Sequence, residues 1–236
     1  MRKKVSIIIP AFNEEKFLPK LINKIKLSKI SNVFEKEIII VDDGSTDNTK
    51  KVVKNFKNIK YFFQKNSGKG KAVQRGIRSS TGQIILVQDA DLEYDPVDYN
   101  KLLHNFKKRK KIAVFGSRYL KKNFFSSFQK RKKNHGFFQI LFNFILSTFF
   151  YILYGKYITD LLTGYKLYER DFFKKISVKT RGFETDHELT IKLLKKGYKI
   201  IEVPIKYYPR SKQEGKKINI IDAFKAIITI LKLKFL

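Results

Sequence analysis

Residues 84–93 read Ile84-Ile85-Leu86-Val87-Gln88-Asp89-Ala90-Asp91-Leu92-Glu93, an apolar run that ends in three acids at alternate positions. A short run that is apolar throughout is the pattern of a strand buried on both faces, as in a parallel sheet. Two earlier stretches are built the same way. Val5 to Ile9 leads into Pro10-Ala11-Phe12-Asn13-Glu14, and Glu37 to Val41 leads into Asp42-Asp43-Gly44-Ser45. Lys60 to Phe63 and Ile112 to Phe115 read as further strands. Helices are expected between them. One starts near Pro19, whose fixed φ suits a first turn, and buries Leu21, Ile22 and Ile25. Another follows Asp47 and buries Val52, Val53 and Phe56, and a third runs from about Lys71 to Arg78. Later segments, 137–154, 186–196 and 218–236, also read as helices. Strands alternating with helices define an α/β fold with a mostly parallel central sheet flanked by helices.

In open α/β sheets, ligands bind at the carboxyl ends of the strands. Acidic residues gather there in a chain that is otherwise strongly basic. Carboxylates brought together repel, and a hard dication relieves the repulsion. Asp89 and Asp91, two apart in a turn, can both face one Mg²⁺ or Mn²⁺, and Glu93 extends the series. A lone Asp-x-Asp is ordinarily a capping turn. Its place after a buried strand, beside two other acidic strand ends, favours the ligand reading. Ser67-Gly68-Lys69-Gly70-Lys71 does not complete a phosphate-loop motif, and no G-x-G-x-x-G follows the first strand. No G-x-S-x-G elbow is present. With no cysteine, disulfides and thiolate metal sites are excluded. His104, His135 and His187 lack zinc spacing; His104 reads as a surface residue and His135 as the border of a helix.

The 236 residues carry 51 Lys plus Arg against 21 Asp plus Glu, a formal charge of +30. Lys, Ile, Asn and Phe are abundant throughout, so part of the excess is compositional drift, and only clustered basic residues count as evidence. Two clusters stand out: Gln129 to Lys133, with Arg131, and Lys206 to Lys217, with Arg210, Lys216 and Lys217. Between them, Phe137 to Tyr154 is densely apolar, with His135, Gln139, Asn143 and Ser147 as a narrow polar stripe every four residues. This reads as a helix lying in a membrane surface, its basic flank at the headgroups. The alternative is a core helix packed on the sheet. The basic start lacks a signal peptide's long apolar run, so Val5 to Ile9 is taken as a first strand. The acidic strand ends argue against a nucleic-acid partner, and a non-catalytic membrane scaffold would not need Asp89, Asp91 and Glu93 together.

In order along the chain, SIIIPAFNEE, IIIVDDGSTDNT, NSGKGKAVQRGI, QDADLEYDP and FGSRY resemble the inverting glycosyltransferases with the A-type nucleotide-sugar fold. TDLLTGYKLYERDFF, GFETDHELTIKLLKKGYKIIEVPIKYYPR and EGKKI resemble the subgroup that makes polyprenyl-phosphate sugars, the dolichyl-phosphate mannose or glucose synthases. The resemblance implies one catalytic domain over residues 1–236, with amphipathic membrane-facing helices near 137–154 and 218–236. It implies transfer of a hexose from GDP-mannose or UDP-glucose to a polyprenyl phosphate, at the cytoplasmic face of a membrane to which the protein is peripherally attached. The alternative acceptor is a hydroxyl of a growing glycan or lipid. Pro10, Phe12 and Glu14 are then expected to line the base and ribose pocket; Phe12 stands where the family often has tyrosine. Asp42 is expected on the base or ribose, with Asp43 supporting its loop, and Ala90 and Asp91 against ribose and diphosphate. Asp89, Asp91 and Glu93 are expected to ligate Mg²⁺ or Mn²⁺, and Arg118 to reach a phosphate. Arg131, Arg210, Lys216 and Lys217 are expected at the acceptor phosphate or diphosphate. An ionised phosphate acceptor needs no strong base; a hydroxyl would, and Asp160, Asp186 and Glu188 are the candidates.

Overall fold

The computed structural model describes residues 2–107, 109–120, 137–210 and 220–235. Seven strands form one sheet: β1 (Lys3–Ala11), β2 (Phe34–Asp42), β3 (Ile59–Phe63), β4 (Ile84–Val87), β5 (Ile112–Ser117), β6 (Lys166–Glu169) and β7 (Lys199–Pro204). Their order is β3-β2-β1-β4-β6-β5-β7, and only β6 runs antiparallel to its neighbours. The five strands expected from their apolar runs are all present, and β6 and β7 are additional.

The helices are α1 (Leu18–Leu27), α2 (Thr49–Lys54), α3 (Lys69–Ser79), α4 (Tyr99–Leu103), α5 (Phe137–Tyr154), α6 (Arg170–Phe173), α7 (Thr185–Lys195) and α8 (Ile220–Phe235). Pro19 sits in the first turn of α1, where its missing N–H costs no hydrogen bond, and Leu21, Ile22 and Ile25 face the core. α2 begins one residue later than an Asp47 cap would place it: Asn48 is the cap position, and Asp47 instead accepts from the Thr49 amide at 2.9 Å. Two apolar layers flank the sheet. α1, Tyr99 and Leu102 of α4, and Phe106 cover one face; α3, α5, α7 and α8 cover the other, around Phe150, Phe172 and Ile230.

This topology decides where a ligand goes. From β1 the chain proceeds outward through β2 to β3, then crosses back to lay β4 on β1's other side. β1 and β4 thus flank a topological switch point, the place where open parallel sheets bind ligands. Ala11 pairs with Asp42 and Ile8 with Val87, so the carboxyl ends of β1, β2 and β4 open at one edge.

Candidate active site

At that edge the loops are tied to one another before any ligand is considered. Asn13 adopts a left-handed φ of 52°, which asparagine tolerates. Its amide donates to Ser45 Oγ at 2.9 Å, and its Oδ1 accepts from the Thr46 amide at 2.8 Å. The Glu14 amide donates to Thr49 Oγ1 at 3.0 Å. The loop after β4 turns through Leu92, also left-handed at 63°, and the Glu93 amide closes on Asp91 Oδ1 at 3.1 Å. A branched side chain rarely adopts that backbone, and such local strain is typical of sites whose side chains must point in fixed directions.

A cavity of about 860 Å³ opens over the switch point. Pro10, Phe12 and Glu14 from the first loop and Asp89, Ala90, Asp91 and Glu93 from the fourth strand's loop line it, as do Asp43, Arg118 and Arg210. Asp42 does not reach it. Asp42 is fully buried, and its carboxylate accepts from the Ser45 amide at 2.8 Å and from Tyr61 Oη at 2.6 Å. Asp42 braces the turn, and of the two adjacent acids it is Asp43 that lines the cavity. Asp43 also accepts from the Ser67 and Gly68 amides at 3.0 and 2.8 Å, pinning the loop that brings Asn66 and Lys69 to the cavity wall.

The charges on the wall alternate. Lys69 Nζ lies 2.6 Å from Asp89 Oδ1. Burial disfavours this ammonium, but Asp89 and Asp186 outweigh burial and hold it above the usual lysine range. Gly164 packs against this pair; a Cβ there would collide with the Asp89 carboxylate. Arg210 reaches Asp91 Oδ2 at 3.1 Å and Glu14 Oε2 at 3.3 Å, while its amide donates to Glu93 Oε1 at 3.0 Å. Tyr207 Oη donates to Glu93 Oε2 at 2.8 Å. Arg118 is held by Asp160 through two contacts of 2.7 Å and lies over the Tyr207 ring at 5.0 Å. Asp91 keeps an excess of negative surroundings: burial pushes its pKa up, Asp89 and Glu93 push it further, and Arg210 opposes them.

These observations bear on the expected metal ligands. Among the described residues no three acidic or imidazole side chains converge as a metal nest. Asp89 is engaged by Lys69, and Glu93 by Tyr207 and the Arg210 amide. Among the described residues Asp89, Asp91 and Glu93 thus form no preformed nest. The donor chemistry still suits Mg²⁺ or Mn²⁺, because such ions commonly take one or two carboxylates and complete their shell with water and substrate phosphates. Asp91, crowded by like charge, is the carboxylate that such an ion would relieve.

Of the possible bases, Asp160 is fully buried and committed to Arg118. Glu188 accepts from the amides of Lys179 and Thr180 and from Lys192, a structural role. Asp186 alone of the three lines the cavity. Arg210 joins the donor-side acids rather than standing apart from them. Arg131, Lys216, Lys217 and His135 lie outside the described residues. Lys69, Tyr94, Tyr207 and His187 also line the cavity. Sequence periodicity does not single them out, because their side chains converge from four separate segments. His104 is exposed, as expected.

Comparison with known proteins identifies the family. The family model described as Glycosyl transferase family 2 matches residues 6–177. The chain belongs to that family, and it is a glycosyltransferase with the A-type fold. It is 30% identical, over 98% of its length and 96% of the relative's, to a UDP-N-acetylglucosamine–dolichyl-phosphate N-acetylglucosaminyltransferase of Methanococcus voltae. It is also 30% identical to a dolichyl-phosphate beta-glucosyltransferase of Trichomonas vaginalis, over 97% of this chain and 72% of that protein. The crystal structure of Mycobacterium tuberculosis glucosyl-3-phosphoglycerate synthase, in complex with Mn²⁺, UDP and phosphoglyceric acid, shares the fold. It superposes with a TM-score of 0.74 at 17% identity, covering 98% of this chain and 78% of that one.

Proposed function

We propose that the protein, as one catalytic domain, transfers a hexose or N-acetylhexosamine from a nucleotide-diphosphate donor to a polyprenyl phosphate at a membrane surface. The observation that carries this reading is the mixed lining of the cavity. Glu14, Asp43, Asp91 and Arg210 line it from the strand-end loops and the segment after β7, and Phe142 of α5 and Phe224 and Ile227 of α8 line it from the helices. A polar phosphate on an apolar chain matches that mixed lining, and the relatives named for dolichyl-phosphate acceptors support the reading.

In the proposed reaction, an acceptor phosphate oxygen forms the new bond to the sugar's anomeric carbon as the bond to the donor diphosphate breaks, with inversion at that carbon. The electron pair leaves with the diphosphate. Arg118, Lys69 and Arg210 bring positive charge to the cavity where two anions must meet, and arginine can grip phosphate oxygens in pairs. Asp91, with Asp89, would hold Mg²⁺ or Mn²⁺, which supplies Lewis-acid neutralisation of the departing diphosphate when bound.

The membrane part of the reading rests on α5 and α8. The polar stripe of α5 turns inward: Gln139 lines the cavity, Asn143 Nδ2 donates to Thr159 O at 2.8 Å, and Ser147 is buried. Its opposite face leaves Phe144 57% and Ile152 73% exposed, and α8 leaves Phe224 62% exposed. Among the described residues no helix is long and apolar enough to cross a membrane. An apolar face beside the cavity mouth, with Lys225, Lys232 and Lys234 on α8, suits shallow insertion at an anionic surface, expected to be the cytoplasmic face. A hydroxyl acceptor is the second reading, favoured by Asp186, the one of the three candidate bases that lines the cavity.

The deciding experiment is a donor screen with UDP-glucose, UDP-N-acetylglucosamine and GDP-mannose, with Mn²⁺ and a short polyprenyl phosphate. Release of nucleoside diphosphate that requires the lipid phosphate is expected. Release that requires instead a neutral lipid or glycan hydroxyl would overturn the phosphate-acceptor reading.

A further inference from the structure

The floor of the cavity carries a polar group that phosphate chemistry does not use. α7 begins there, and Asp186 and His187 both line the cavity. Behind them stands Lys166, at the start of β6, with no exposure to solvent. Its ammonium lies 3.8 Å from Asp186 Oδ1, donates to Asp186 O at 3.4 Å and sits 4.8 Å from the centre of the Phe115 ring. On the other side of Asp186, Lys69 Nζ is 4.0 Å from Oδ2. Carboxylate and ammonium thus alternate from Asp89 through Lys69 and Asp186 to Lys166.

A lysine in the middle of a sheet is costly, because burial strips its ammonium of water. Burial pushes the Lys166 pKa down, and Asp186 opposes it. An apolar side chain would pack in the same place without that cost, so packing alone does not account for Lys166. Its visible effect is to grip Asp186 from behind. His187 is 4% exposed, and its Nδ1 has no hydrogen-bond partner among the described residues. Burial, and then Lys166, push its pKa down to about 3, so the ring is neutral at pH 7. A buried, unpartnered ring nitrogen at a cavity wall is a cost unless a ligand meets it.

The chemistry of this pair selects its ligand class. A carboxylate only accepts hydrogen bonds, and a neutral imidazole offers one donor and one acceptor. A phosphate would be repelled by Asp186, and an isoprenoid would leave both groups unpaired. Alcohol hydroxyls, which donate and accept, satisfy both. We infer that Asp186 and His187 read hydroxyl groups of the transferred sugar, and that Lys166 is the positioning residue that fixes the Asp186 carboxylate for that contact. This rests on the reading of the donor as a nucleotide sugar.

The test compares, for each protein, the affinity for a nucleotide sugar with that for the matching nucleoside diphosphate, in the presence of Mn²⁺. The ligands are UDP, UDP-glucose, UDP-N-acetylglucosamine, GDP and GDP-mannose, measured by calorimetry on wild type, Lys166→Met, Lys166→Arg and His187→Leu. Lys166→Met and His187→Leu are expected to hold nucleoside diphosphate within about twofold of wild type. They are expected to lose about tenfold of nucleotide-sugar affinity, the order set by unpairing a polar group in a sugar site. Lys166→Arg should recover part of the loss. Lys166→Met should melt no lower than wild type, since an apolar replacement of a buried charge is often neutral or stabilising. A parallel fall in both affinities together with the melting temperature would make Lys166 structural and overturn the inference. So would a wild-type affinity ratio in every folded variant. Should Lys166→Met not fold, the ratio in His187→Leu decides. If wild type binds none of the nucleotides, the donor reading itself falls and this inference with it, which separates the two failures.

Discussion

Asp91 is partly buried beside Asp89 and Glu93, and Arg210 is a cation that opposes their effect on it. Two predictions follow from that single carboxylate. First, Asp91→Asn removes a repelled charge, so its melting temperature is expected to equal or exceed that of wild type. Turnover is expected to fall on the order of 100-fold, the scale of losing a transition-state charge contact. EDTA should act in the same direction on the wild type, and full activity in EDTA would remove the metal from the mechanism. Second, Arg210→Ala takes away the group that lowers the Asp91 pKa. If activity needs ionised Asp91, the acidic limb of the kcat/KM–pH profile is expected to move to higher pH, by on the order of one unit. Arg210→Lys should move it less. An unmoved limb in both variants would show that Asp91 ionisation does not limit the reaction.

Neighbouring elements are also joined here by a few polar side chains. Glu37 of β2 accepts from Ser6 of β1, from Lys60 of β3 at 2.6 Å, and from the Thr81 amide at 2.9 Å just before β4. Burial alone would raise the Glu37 pKa. The Lys60 and Ser6 contacts, with those from Thr81, outweigh burial and lower it from 4.5 to about 2. A carboxylate with a depressed folded-state pKa contributes stability above its unfolded value and loses it as pH falls through the folded one. The urea midpoint of Glu37→Gln is therefore expected below wild type at pH 7, with the gap closing between about pH 4.5 and about pH 2. A gap independent of pH would assign the effect to shape rather than charge. Helix packing supplies a second case. At Gly70 of α3 a Cβ would overlap the Thr185 side chain at the start of α7 and come within 2.7 Å of Arg181 O. Gly70→Ala is expected to cost about 1–3 kcal/mol of stability, as overpacking does. It would also shift Lys69, its neighbour in the site, so activity should fall with stability in parallel.

For the whole molecule, the proposed membrane contact asks which surface would meet a lipid. Phe142 and Phe149 pack partly into the core beside Phe150, whereas Phe144, Ile145 and Ile152 face outward from the same helix. Replacing Phe144, Ile145 and Ile152 by Ser is expected to weaken binding to anionic vesicles about tenfold or more while leaving the melting temperature within a few degrees, since these side chains bury little in the folded chain. Raising salt should weaken vesicle binding as well, because surface charge is screened within about 8 Å at physiological ionic strength. Vesicle binding unchanged by both treatments would leave the outward face of α5 to some other contact. Phe142→Ser, by contrast, should lower the melting temperature, because that side chain belongs to the core layer.

What the sequence by itself determined is periodic or local. Five strands, the main helices and the acidic edge were legible in it because a strand buried on both faces must be apolar throughout and must end where polar residues begin. The order of motifs carried the family in the same way. β6 was not legible: it is four residues long, opens on Lys166 and takes its antiparallel place between β4 and β5 only by long-range pairing. The division of labour between Asp42 and Asp43 was not legible either, since adjacent strand-end residues point to opposite sides and only the fold says which side holds the cavity. Nor could sequence tell that the polar stripe of α5 faces inward and its apolar face outward. Tertiary structure decided these matters, and it brought Lys69, Lys166, Asp186 and His187 together from three separate segments. Their convergence depends on which strand lies beside which, and no period along the chain records that.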